Sequence, residues 1–419
     1  MIRFSTVLLL LAVFAARAPT DVHGDELDVH IRQITRGPRH HFYGYIGHVM
    51  NVPWNATGRY VVALETDFQD HLPAADEPAN VVLLDSQHDF APILVEATRA
   101  WNFQQGTMLY WNPAAPDHQF FFNDRDAETG RVFTVLYDVA KRERVREYRL
   151  EPVPAANGGV CPAGGFFLAI NYGRLARLRP VTGYAGAADP TAGVVAPTDD
   201  GIFKVDIATG EARLLVSYQQ LADLWRSEHP DVDRIPLFIN HTLASRDGAW
   251  IYFFVRGNFG LPNRINVPCS VRADGSELTL HRQHIGGHPE WDLGHRLIGR
   301  VGSDQVLYDV EEQSVVGTLG SPELFPDPEG DVALSPDGRR FANGYRVGAE
   351  NSYAILDRET GAFVRTRGFP HAPWRNGALR LDAAPCWNRA GTALVVPGLA
   401  DDAARTRQMF LIELRAPPE

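Results

Sequence analysis

Seven times along this 419-residue chain an apolar run enters a short turn and leaves it as a second apolar run. Clear copies are Trp54-Asn55-Ala56-Thr57-Gly58 before residues 60–64, Cys161-Pro162-Ala163-Gly164 before 166–170, and Ser335-Pro336-Asp337-Gly338. Further copies are Ser245-Arg246-Asp247-Gly248, Trp291-Asp292-Leu293-Gly294 and Asn388-Arg389-Ala390-Gly391, and a looser one begins at Trp111-Asn112-Pro113. The intervals are roughly 45 to 60 residues, with one of about 85. A second polar turn follows most copies, as in Val205-Asp206-Ile207-Ala208-Thr209-Gly210, Ser270-Val271-Arg272-Ala273-Asp274-Gly275 and Leu356-Asp357-Arg358-Glu359-Thr360-Gly361. Two hairpins per repeat make a four-stranded blade. The pattern predicts an all-β, seven-bladed propeller with antiparallel blades, filling residues 25–419 as one domain. Residues 27–35 alternate like a strand. They are expected to join the last blade and close the ring, which removes two exposed sheet edges. The long interval holds a Gly/Ala/Pro-rich loop at 177–197 and one short helix at 218–228.

Residues 1–24 read as a secretory signal: one basic residue, an apolar run over 7–16, then small residues at Ala16-Arg17-Ala18 or Val22-His23-Gly24. The protein is therefore expected to be exported, to a periplasm or to the extracellular space. No later stretch reaches the roughly 20 apolar residues of a membrane span. A formal charge of −11 speaks against nucleic acid and anionic membranes. It leaves room for an anionic ligand on a locally basic face. Cys161, Cys269 and Cys386 match no zinc spacing and read as small buried hydrophobes. The oligomeric state is not legible.

In a propeller, loops entering the first strand of a blade and loops leaving the second lie on one face. Second strands end in Arg125, in Asn171-Tyr172-Gly173-Arg174, in Arg256, in Arg300 and in Arg346. Entry loops supply His41, Tyr45, Gln105, His241 and His288, with Asp331 and Asp382 in the last two blades. Guanidinium forks suit carboxylate or sulfate, and His with Tyr suits proton transfer. The expected site therefore takes a ligand bearing carboxylate or sulfate. Arg125, Arg174, Arg256, Arg300, Arg346, Gln105, Asn171 and Tyr45 are its candidate contacts. His241, Tyr172 and His41 are its candidate catalytic groups. The recurrent Trp54, Trp111, Trp291 and Trp387 read as blade packing, while Trp101 and Trp374 read as possible sugar platforms. A scaffold propeller, of the kind that serves periplasmic translocation, is the alternative of a different class. It should lack convergent His, Tyr and Arg at the channel mouth.

Several stretches resemble propeller polysaccharide lyases related to oligogalacturonate lyase and ulvan lyase. They are His40-His41-Phe42-Tyr43-Gly44-Tyr45, Trp101-Asn102-Phe103-Gln104-Gln105-Gly106, Gly287-His288-Pro289-Glu290-Trp291 and Thr406-Arg407-Gln408-Met409-Phe410-Leu411-Ile412. The resemblance implies an acidic poly- or oligosaccharide as the ligand and β-elimination on uronate-containing glycans as the reaction. It places His241 as the base, while motif and predicted face put Arg174 and Arg256 on the carboxylate and make Tyr172 or His41 the acid. It also makes His288 one ligand of a divalent cation, manganese or calcium. Asp331 stands where the family has another His, and Ala383-Ala384-Pro385-Cys386-Trp387 stands where it has His-Pro-x-Trp. A lyase-like descendant without activity is a further expectation.

Overall fold

Side chains alternate between the two faces of a strand, so short apolar runs between Gly-bearing turns can bury both faces only between neighbouring sheets. The computed structural model describes residues 27–44, 51–326, 330–400 and 405–415, and there the repeats become seven antiparallel sheets. Six have four strands, and the sixth in chain order gains a fifth, Phe369–Pro370. The fourth blade comprises Phe238–Ala244, Trp250–Gly257, Ile265–Arg272 and Thr279–Leu280. The fifth comprises Gly286–Trp291, Arg296–Val301, Asp304–Asp309 and Ser314–Thr318. The ring closes as expected. Val29–Gln33 lies antiparallel to Arg407–Leu414, in register from Val29 opposite Leu414 to Gln33 opposite Phe410.

The recurrent tryptophans tie adjacent blades. Trp111 Nε1 donates to Pro53 O at 2.8 Å, Trp291 Nε1 to Leu243 O at 2.9 Å and Trp387 Nε1 to Ala333 O at 3.0 Å. In each case the indole of one blade reaches the inner strand region of the preceding one. The apolar ring body fills the interface while its only polar atom finds a carbonyl. All three cysteines are free and buried. Among the described residues no helix is long and apolar enough to cross a membrane. The leader over 1–24 lies outside the described residues.

Among the described residues, two α-helices interrupt the strands. The expected one, α2, spans Tyr218–Trp225, and a capping box between Ser217 and Gln220 starts it. The other, α1, Tyr172–Leu178, lies where a strand end and a loop were expected. Asn171 is its N-cap, accepting from Arg174 N at 3.0 Å. Gly173 is obligatory there, because a Cβ would meet Ala188 O at 2.1 Å.

His281 is buried, with Nδ1 2.9 Å from Tyr308 Oη and Nε2 2.8 Å from Ser270 Oγ. Burial pushes its pKa down from 6.5 to about 4. Between those values the unfolded chain binds the extra proton and the folded chain does not, so stability falls as pH drops through that window. The contribution is on the order of 2 kcal/mol by mildly acidic pH. Melting measured near neutrality and again near the lower end of the window should show His281→Gln losing less stability than the parent. Equal losses would remove His281 as the cause.

Candidate functional site

The site is built by bulges at the entrances of the fourth and fifth blades. Asn240 pairs with Phe254 and Leu243 with Tyr252, so His241 and Thr242 together face one residue. Gly286 pairs with Arg300 and Glu290 with Ile298, so Gly287, His288 and Pro289 face Gly299 alone. Such bulges re-aim side chains beside functional sites. Both histidines are forced into left-handed backbone, with φ 58° at His241 and 48° at His288. That conformation costs a non-glycine residue about 1–2 kcal/mol. Strain of this kind concentrates at functional sites. The two imidazole centroids are 5.2 Å apart. Asn240 Oδ1 accepts from His241 N at 3.0 Å and from Gln105 Nε2 at 3.2 Å, so Gln105 helps hold the first bulge.

The histidines open onto a recess of about 200 Å³, whose walls include Gln105, Arg179, Arg256, Arg264 and Arg380. Arg256 ends the second strand of its blade, as expected, and its Nε donates to Asn266 Oδ1 at 2.8 Å. Arg380 arrives on the segment before the seventh blade. Gln104 Nε2 holds that segment through the carbonyls of Ala378 and Arg380, both at 3.4 Å, and Gln69 Nε2 holds it through Leu379 O at 3.3 Å. An adjoining recess shares His288 and adds Asp331, Arg346 and Asp382. Asp331 engages His288 Nδ1. Asp382 Oδ1 accepts from Arg346 at 2.7 Å and from Arg380 at 2.9 Å. Burial first, then the neighbouring Asp331, pushes the Asp382 carboxyl above the usual range.

The main recess is strongly cationic within an acidic chain. Burial first, then Arg179 and Arg264, pushes Arg256 down to about 9. Burial first, then Arg380 and Arg264, pushes Arg179 down to about 10. Both remain charged near neutrality, and their lowered values record the cost of crowding like charges in a partly dry wall.

Of the residues expected from sequence, His241, His288, Arg256 and Gln105 meet here, and Arg346 stands in the adjoining recess. Others are used elsewhere. Tyr172 is buried in α1, stacked on Tyr184 at 4.0 Å and donating to Asn157 O at 3.0 Å. Arg174 is fully buried and donates to Leu237 O, Val194 O, Val195 O and Thr191 Oγ1. Asn171 caps the helix and donates to Asp189 and Asp200. The helix turns all three inward, so the expected roles of Tyr172 as acid and of Arg174 and Asn171 as contacts are corrected. His41 is buried between Gln408 and Glu65, each at 3.1 Å, which leaves no ring nitrogen for an acid role. Arg125 ties loops through Ala75 O and Gly186 O. Arg300 lies across the strand pair from Gly286, outside both recess walls. Tyr45 lies outside the described residues. Trp101 is buried and donates to Glu77 O at 2.9 Å, so it is no sugar platform.

Arg179, Arg264 and Arg380 were not among the expected contacts. They sit on an insertion, on a hairpin loop and on an inter-blade segment, and no repeat position marks them. The one available signal was the length of the interval that holds α1.

No family model and no curated protein matches the chain in sequence. Solved structures do match its fold. An oligogalacturonate lyase in complex with manganese aligns with TM-score 0.58 at 13% identity, covering 93% of this chain and 98% of that one. A TolB from Acinetobacter baumannii aligns with TM-score 0.39 at 14% identity, covering 82% and 78%. The Cps50 (Swd1) β-propeller domain of Myceliophteria thermophila aligns with TM-score 0.45 at 13% identity, covering 92% and 100%. At these identities the likeness is one of fold.

The lyase structure carries manganese. Here, among the described residues, no three His, Cys, Asp or Glu side chains form a group able to hold a metal ion. His288 is engaged by Asp331, and Asp382 by two arginines. These residues do not fit such a centre. What they do provide is two imidazoles beside a cluster of guanidiniums, a combination able to neutralise a carboxylate and move protons next to it.

Proposed function

We propose that this protein binds a uronate-containing acidic glycan or oligosaccharide in the recess and cleaves it by β-elimination. The observation that carries this reading is the pair of strained imidazoles, His241 and His288, 5.2 Å apart and sharing one recess with Arg256 and Arg380. Arg256, with Arg380 beside it, neutralises the uronate carboxylate. Charge withdrawn from the carboxylate acidifies the adjacent C–H. His241 removes that proton, and the electron pair forms the ring double bond as the bond to the leaving glycosidic oxygen breaks. His288 delivers a proton to that oxygen. With its Nδ1 engaged by Asp331, its Nε2 is the nitrogen left for the substrate. This role replaces the one expected of Tyr172 or His41. The signal-like residues 1–24 support action outside the cytoplasm.

The test is incubation with a panel of uronate polysaccharides and oligosaccharides, following the ultraviolet absorbance of the unsaturated uronate product. An absorbance rise on at least one substrate is expected, with a chelator present as without it. No rise on any substrate, with or without added divalent cation, leaves the non-catalytic binding propeller as the better reading.

A further inference from the structure

Arg407, the first residue of the closing strand Arg407–Leu414, is buried at 5% exposure. Its guanidinium carbon lies 4.5 Å from the ring centroid of Phe42, and Nη1 donates to Phe103 O at 3.3 Å. Neither contact supplies a counter-charge. No carboxylate of the described residues pairs with it, and Asp382 is bonded instead to Arg346 and Arg380 through Oδ1. Burial pushes the Arg407 pKa down to about 10, and Asp382 opposes that shift. The two side chains line one cavity of about 30 Å³, together with Gln104, Phe42 and Phe103. Three of these residues each keep a buried polar atom without a hydrogen-bond partner among the described residues: Arg407 Nε, Asp382 Oδ2 and Gln104 Oε1. The first is a donor and the other two are acceptors. The cavity exceeds the roughly 10–15 Å³ that one water requires and is too small for a saccharide. A chloride ion would satisfy Arg407 but face two acceptors. A monovalent cation would satisfy the acceptors but face a guanidinium. One water can accept from Arg407 Nε and donate to both Asp382 Oδ2 and Gln104 Oε1, and about three bonds is the usual number for a buried water.

We infer that one internal water joins Arg407 to Asp382 and Gln104, which makes Arg407 a positioning residue for the recess; its effect on the ligand rests on the glycan reading. Asp382 Oδ1 accepts from Arg346 at 2.7 Å and from Arg380 at 2.9 Å. The water holds the other carboxylate oxygen, so the carboxylate is kept from rotating and Arg380 keeps its place on the recess wall. Gln104 Nε2 already donates to Ala378 O and Arg380 O, and the water engages the other end of the same amide. The closing strand thereby acts on carboxylate binding without touching the ligand.

The experiment joins crystal structures of the parent and of Arg407→Met, at a resolution that shows ordered water, to calorimetric binding. The parent is expected to show one water within hydrogen-bond distance of all three atoms. In Arg407→Met the Asp382 carboxylate is expected to rotate and Arg380 to leave its present contact with it. An ion in the cavity, no ordered density there, or an unmoved Arg380 in the variant overturns the inference, whatever the recess binds. Calorimetry uses the His241→Ala protein, which should leave ligands intact, with two probes: an oligosaccharide of galacturonate and one of glucuronate. Affinity for whichever binds is expected to fall about fivefold on adding Arg407→Met, the scale of one hydrogen bond. Arg407→Lys should recover part of the loss, because an ammonium still donates. In the Arg380→Met background, Arg407→Met should change affinity less than about twofold, since the group it positions is gone. Equal losses in both backgrounds would make Arg407 merely structural and overturn the positioning role. Should Arg407→Met not fold, Arg407→Gln takes its place in every arm. No binding of either probe counts against the glycan reading alone, and the two crystal structures still decide the water and its hold on Arg380.

Discussion

Replacing His241 by Gly or Ala is expected to lower turnover of a cleaved glycan by about 10²- to 10⁴-fold, the range for a lost general base. The fold should survive. His241 occupies left-handed backbone at φ 58°, which Gly adopts freely and His does not. Relief of about 1 kcal/mol of strain offsets much of the lost packing on Phe254 and His288. In a chain of this size the melting temperature of the Gly variant should therefore stay within about 2 °C of the parent. Ala, which keeps the strain, should be the less stable of the two. Steady-state turnover with parallel calorimetry checks both points. A Gly variant that remains fully active would remove His241 as the base.

Arg256 carries the second large effect, with opposite signs on activity and stability. Arg256→Met should lower kcat/KM by about 10²- to 10³-fold, as loss of a charge-stabilising donor does. Arg256→Lys should recover part of that loss, since charge remains but the planar fork is gone. Arg256→Met should also raise thermal stability near neutrality, by roughly 1–2 kcal/mol. Its guanidinium is pushed down to about 9 by burial and by Arg179 and Arg264, so the folded state bears the cost of a charge that the unfolded state solvates. The folded pKa lies below the unfolded one. The penalty is thus fully present below about 9 and is relieved as pH rises through that value toward the unfolded pKa. The stabilising effect of Arg256→Met should shrink over the same range. Melting curves at neutral and alkaline pH measure this. A variant less stable than the parent at neutrality would show that Arg256 contributes more by packing than it costs by charge.

The propeller was legible because its determinants are local and repeated. Each turn, each apolar run and each Trp position recurs, so seven weak signals reinforce one another. Trp111, Trp291 and Trp387 have one environment and one hydrogen-bond partner type because the blades are equivalent. The site was legible only where it uses those equivalent positions. His241 and His288 precede the turns of adjacent blades, and Arg256 ends a second strand.

The equivalence failed at α1. Asn171 looked like a strand end, but its side chain caps a helix instead. Arg174 was then drawn into the interior, where four donated hydrogen bonds satisfy it. The same insertion delivers Arg179 to Phe259, a contact between segments about 80 positions apart.

What the sequence alone determined, then, is the ring: the number of blades, their four-stranded grammar, the closing strand and the two entrance histidines. These follow from periodicity and turn chemistry within each repeat. The tertiary structure decided which side chains face the recess. Insertion and inter-blade loops obey no period, and their course depends on which buried polar groups they can satisfy when the ring closes. That closure brings Arg380 and Arg179 beside His241 and Arg256, and it buries Tyr172, Arg174 and His41 among partners that use up their hydrogen bonds.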